Sequence, residues 1–80
     1  MNTNKQAKKT KIEKGYIIVE VREDGYRKEY VCNYGYSLAF SWAKDIKKQS
    51  LYSGVSRRVR LFQINKENNE ILKTYPEITY

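Results

Sequence analysis

The stretch "VSRRVRLFQI", Val55 to Ile64, sets three arginines among alternating apolar residues. Alternation at period two marks a strand whose two faces differ. Arg57, Val59, Leu61 and Gln63 then share one face, and Arg58, Arg60, Phe62 and Ile64 share the other. A strand needs neighbours, and the flanking segments supply them. Downstream, "NKENNE" (65–70) is a polar turn, and Ile71 to Tyr75 reads as a further strand that Pro76 ends. Upstream, Ile17, Val19 and Val21 alternate with Tyr16, Ile18, Glu20 and Arg22. Asp24-Gly25 tolerates the positive φ angles of a tight hairpin turn, and a second strand follows from about Arg27 to Cys32.

Between the two pairs of strands lies a helical pattern. Ser37 is the expected N-cap of a helix from Leu38 to about Gln49. Leu38, Ala39, Trp42, Ala43 and Ile46 form one apolar stripe, with Trp42 at its centre and Phe40 outside it. "QSLYSG" is read as the helix break, with Gly54 as the stop and the preceding lysines suited to the macrodipole. The fold class is therefore α+β: one β-β-α-β-β domain over 16–80, an antiparallel sheet with a single helix packed on one face. Residues 1–15 hold Ala7, Ile12 and the initiator methionine as their apolar content and are expected to be a disordered, Lys-rich arm.

One helix covers one side of such a sheet. With Ile17, Val19, Val21, Val59 and Leu61 toward the helix, the open side carries Tyr16, Ile18, Glu20, Arg22, Arg58, Arg60, Phe62 and Ile64. That surface is basic and also more apolar than solvent alone favours, as a binding face would be. A register slip by one residue would reverse the assignment.

Composition narrows the function. The 80 residues carry a net charge of +7. Lys5, Lys8, Lys9, Lys11 and Lys14 against Glu13 place +4 of it in residues 1–15, leaving +3 for the rest. An excess of this kind attracts anionic partners by counterion release and steering. A single cysteine forms no intramolecular disulfide, and Cys32 reads as a small core residue. The longest aliphatic run, Ile17 to Val19, is far short of a membrane span, and the polar N-terminus has no signal-peptide core. A cytoplasmic protein with no membrane partner is expected.

Catalytic chemistry is poorly supplied. Histidine is absent, the four glycines are scattered, and Glu23, Asp24, Glu67 and Glu70 fall in turns. No enzyme, cofactor or metal ligand set is expected. Binding residues are plentiful: eight tyrosines, with Tyr34 and Tyr36 grouped before the helix, and Arg57, Arg58 and Arg60 on the third strand. Tyrosine stacks on bases and also anchors protein interfaces; the planar arginine fork suits phosphate.

"GYIIVEVREDGYRKEYV" followed by a helix resembles the arm-binding N-terminal domains of tyrosine integrases and AP2-like modules, over Gly15 to Lys48. In those families a small sheet enters the DNA groove with a helix behind it, which would make Arg22, Arg27 and Lys28 contacts here. They place three strands before the helix, whereas this chain has two before and two after. Small size and a Lys/Asn/Tyr-rich composition are also similar in style to accessory proteins of phages and mobile elements.

Two functions are expected. In the first, a small DNA-binding accessory protein lays Lys8, Lys9 and Lys11 along the backbone and contacts phosphates with Arg22, Arg57, Arg58 and Arg60. Tyr34, Tyr36 and Phe62 stack, and DNA is favoured over RNA. In the second, the open sheet face or a sheet edge binds a protein, as an inhibitor or adaptor, with the chain itself a monomer or homodimer.

Overall fold

A computed structural model describes residues 12–79. Along the chain run β1 (Lys14–Arg22), β2 (Arg27–Cys32), α1 (Tyr36–Ser53), β3 (Arg57–Asn65) and β4 (Glu70–Thr74). The strands form one sheet in the order β2-β1-β3-β4, every neighbouring pair antiparallel. The α+β class and the β-β-α-β-β order are as expected. The boundary of the arm is not, because Lys14 and Gly15 belong to β1 and pair with Asn65 and Ile64. The expectation for residues 1–11, with Lys8, Lys9 and Lys11, lies outside the described residues.

Turn chemistry sets the two hairpins. Gly25 takes φ 94°, and the Asp24 carboxylate accepts the Tyr26 N–H at 2.9 Å. In the β3–β4 turn the asparagines do the work. Asn69 adopts φ 61°, and the side chains of Asn65 and Asn68 accept the N–H groups of Glu67 and Glu70, both at 2.9 Å. A bulge between Gln63 and Ile64 shifts the register of this hairpin.

The helix is longer than its stripe suggested. It starts at Tyr36 behind Gly35, without a side-chain cap from Ser37, and runs on through Leu51 and Tyr52 to Ser53. "QSLYS" holds no proline or glycine, so nothing in it stops propagation; Gly54, at φ 74°, does. The lysines at 44, 47 and 48 consequently lie mid-helix, and the last turn contains no basic residue.

The core is small and sharply defined. Ala39, Ala43 and Ile46 from α1 meet Tyr16, Ile18, Cys32, Val59 and Leu61. Two alanines at the contact let the helix sit close to the sheet. Each fully buried Ile or Leu contributes roughly 1.5–3 kcal/mol. Trp42 is not the centre of the interface. It sits at the flank toward β2, 37% exposed, edge-on to Tyr30 with centroids 5.4 Å apart. Leu38 is exposed as well. After Pro76 the chain does not leave the sheet: the Tyr75 and Ile78 N–H groups donate to the carbonyls of Leu61 and Val59, and Ile78 is buried.

The faces of β1 are the reverse of those expected. Tyr16, Ile18 and Glu20 point to the helix; Ile17, Val19 and Val21 point away from it. For β3 the expected faces hold, with Val59 and Leu61 inward and Arg58, Arg60 and Phe62 outward. β1 is a central strand, apolar on both sides, so counting hydrophobic residues favours the purely apolar odd set. What reverses it is Glu20, which the fold buries with partners.

Candidate functional site

Glu20 is 1% exposed and is the hub of a polar cluster beneath the helix. Its carboxylate accepts the Tyr30 hydroxyl at 2.8 Å, Arg22 Nε at 3.2 Å and Arg57 Nε. Arg57 Nη1 also donates to Ser53 Oγ at 2.9 Å and to the Val55 carbonyl. Burial pushes the Glu20 carboxyl up, but the hydrogen bonds from Tyr30, Arg57 and Arg22 outweigh it and hold it below the ordinary carboxylate range. Burial and the same Glu20 contact push the Tyr30 phenol up. The network satisfies its members, which is the condition for tolerating a charge pair away from water. Of the expected phosphate contacts, Arg57 is therefore a buried structural residue. Arg22 lies beside it on the helix side, its guanidinium 4.3 Å from the Tyr26 ring centroid.

The face away from the helix has a regular layout, because cross-strand partners share a side. Val21 lies between Arg27 and Arg58, Val19 between Glu29 and Arg60, and Ile17 between Val31 and Phe62. The result is an apolar spine on β1 with charged residues on β2 and β3 at one end and apolar ones at the other. A shallow groove of about 310 Å³ follows the charged end, lined by Val19, Val21, Arg27, Arg58, Arg60 and Phe62. Its arginines already have carboxylate neighbours. Arg58 grips Glu77 of the C-terminal segment through Nε (3.2 Å) and Nη2 (2.9 Å), Arg60 approaches the same carboxylate at 4.0 Å, and Arg27 pairs with Glu29 at 2.9 Å. The Arg58 hydrogen bond holds the Glu77 carboxyl below its usual range.

A second surface lies on the helix side, at the opposite end of the strands. Tyr36, on the first turn of α1, stacks on Phe40 at 5.7 Å and meets Tyr75 at 5.0 Å and Tyr16 at 6.1 Å. The helical spacing of 36 and 40 puts both rings on the flank that faces Tyr75. Lysines edge the cluster: Lys73 Nζ lies 5.0 Å from the Tyr75 ring centroid, and Lys44 Nζ lies 5.9 Å from that of Phe40. Lys44 also donates to the Thr79 carbonyl at 3.1 Å. A groove of about 270 Å³ runs between Tyr36, Phe40 and Lys44 on the helix and residues 75–79. Tyr34, just before the helix, is 83% exposed.

The structure thus divides the expected site. Tyr34 and Tyr36 sit near the start of β1, where the lysine-rich segment joins the fold. Arg58, Arg60 and Phe62 sit on the other face, and Arg60 and Arg58 lie about 10 and about 17 Å from Tyr16 along the strands. Arg22, Arg27 and Lys28, the contacts implied by the integrase resemblance, do not share a surface. Arg27 faces the open side, while Arg22 and Lys28 lie on the helix side, the latter 5.1 Å from the Tyr30 ring centroid. Sequence reading singled out Phe40 only as an aromatic outside the helix stripe, and it missed Lys44, Lys73, Tyr75 and Glu77 as site residues. The spacing of Phe40 and Lys44 at every fourth residue after Tyr36 was the available signal for those two.

Among the described residues no cluster of His, Cys, Asp or Glu could hold a metal ion, and no helix is long and apolar enough to cross a membrane. No family model, curated protein or solved structure matches the chain.

Proposed function

We propose that this protein is a non-catalytic binder of single-stranded nucleic acid, acting through the aromatic and lysine surface at the start of α1. The observation that carries this reading is the meeting of two features at one end of the sheet. Tyr36, Phe40 and Tyr75 form an aromatic platform edged by Lys44 and Lys73, the exposed Tyr34 lies just before it in the chain, and Lys14 opens β1 two residues before Tyr16, which touches that platform. Residues 1–11, with Lys5, Lys8, Lys9 and Lys11, join the chain there. Unpaired bases stack on aromatic rings, and lysines follow the phosphates beside them. A duplex hides its base faces and has less use for such a platform. Arg57 has no part in this reading, because it is committed to Glu20.

Fluorescence anisotropy with labelled single-stranded DNA, single-stranded RNA and duplex DNA, at about 50 and about 200 mM salt, tests it. The single strands should bind more tightly than the duplex, and their log–log salt slope should be near −0.7 per phosphate neutralised. Changing Lys8, Lys9 and Lys11 to alanine in the full chain should flatten that slope and leave the thermal melt unchanged. No salt-dependent binding to any of the three probes would refute the reading.

A further inference from the structure

The groove on the open face calls for a different occupant. Its floor is apolar, Val19, Val21 and Phe62, and it continues into Ile17 and the exposed Val31 in the next cross-strand row. Its rim carries Arg27, Arg58 and Arg60. A phosphate backbone would gain little here, because Glu29 and Glu77 already stand beside those arginines and would repel a continuous row of negative charge. An isolated carboxylate flanked by apolar side chains meets less of that repulsion, because it brings one negative charge and not a row of them. The Arg58–Glu77 contact shows the geometry, since two guanidinium nitrogens already hold one carboxylate.

We propose that this groove is a docking site for an acidic, amphipathic segment of a partner protein. The segment would place apolar side chains on Val19, Val21 and Phe62 and a carboxylate on Arg60 and Arg58. Glu77 acts as an internal stand-in for that carboxylate. It is anchored next to buried Ile78 but is itself only an exposed ion pair, and exposed pairs are weak enough to exchange. The partner's carboxylate competes with Glu77 for Arg58 and uses the remaining donors of Arg60. Charge complementarity and the apolar spine together select the occupant: an apolar peptide would leave the arginines unused, and a nucleic acid would leave the spine uncovered.

Two-dimensional 15N NMR of the full chain tests this with two probes. One is a short synthetic peptide alternating glutamate with leucine and phenylalanine, and the other is an oligothymidylate. The peptide should move the resonances of Val19, Val21, Arg60 and Phe62 saturably, and the same peptide with lysine for glutamate should not. The oligothymidylate should move Tyr34, Tyr36 and Phe40 instead, so failure at one surface is distinguishable from failure at the other. Arg60→Ala should weaken the peptide at least about tenfold, the scale of a lost charge-assisted hydrogen bond. Glu77→Gln should tighten it about threefold to fivefold by removing the competitor. Three outcomes overturn the proposal: no saturable shift at the groove, equal binding of the lysine peptide, or weaker binding in Glu77→Gln. Displacement of the peptide by a second copy of the chain, seen as concentration-dependent dimerisation that Arg60→Ala abolishes, would assign the face to self-association and overturn it as well.

Discussion

Arg57 and Arg58 are neighbours in sequence, both hold a glutamate, and they do opposite jobs. Arg57 points under the helix, where Glu20, Ser53 and the Val55 carbonyl close around it. Arg58 points to the open face, where Glu77 meets it in water. The buried pair is fixed, because removing either partner leaves the other charge largely buried without its closest counter-charge. The exposed pair is exchangeable, because solvent compensates whatever is lost. The position of an arginine on one strand thus separates a structural role from an available one, and alternation along β3 makes that separation with a single step of the chain.

The sharpest way to break this contrast is at Glu20. Glu20→Ala should destabilise the domain by about 3–5 kcal/mol, comparable with the whole stability of a chain this small. A thermal melt would show the protein largely unfolded at room temperature; a melt within a few degrees of wild type would mean that the pair is not buried as described. Replacing both partners, Glu20→Leu with Arg57→Met, should recover most of the loss. Acid sharpens the same point. Because folding holds the Glu20 carboxyl below its ordinary value of 4.5, the pair stabilises fully above that pH, and the contribution is lost as pH falls from there through the folded-state value. Urea melts between neutral and acidic pH should show stability dropping in that window, with a shallower drop in the double replacement. Trp42→Ala should cost about 1–2 kcal/mol, since more than a third of its area is already in water and its main partner is Tyr30. A loss as large as that of Leu61→Ala, about 2–5 kcal/mol, would place the indole in the core after all. At the small end, Glu77→Gln should leave the melting temperature almost unchanged, in contrast to Glu20.

Much of the fold was legible from local chemistry. Both hairpins, the span of β2, the stop at Gly54 and the apolar contact of Ala39, Ala43 and Ile46 follow from turn residues and period. The face of β1 was not legible. Ile17, Ile18 and Val19 are apolar in succession, so the decision rests on where Glu20 finds partners, and two of those, Tyr30 and Arg57, come from other strands. Trp42 misled for a related reason: helical spacing identifies a stripe, but the close approach of two alanines moves its axis away from the largest side chain. The candidate binding residues were found as types and not as a site. Tyr36 gained Phe40, Lys44, Lys73 and Tyr75 only when α1 and the C-terminal segment came together, and the arginines gained Glu77 in the same way.

The most direct test is to compare two alanine variants in oligothymidylate binding. Tyr34→Ala removes an exposed ring from the aromatic end, and Arg60→Ala removes an exposed cation from the arginine end. Neither side chain belongs to the buried core, so both melts should match wild type. If the nucleic acid lies on the aromatic surface, Tyr34→Ala weakens binding by about 1–3 kcal/mol, the worth of one stacked base, and Arg60→Ala changes it little. The reverse order, with Arg60 dominant and Tyr34 silent, would contradict the division of the molecule into a nucleic-acid end and a protein-docking face.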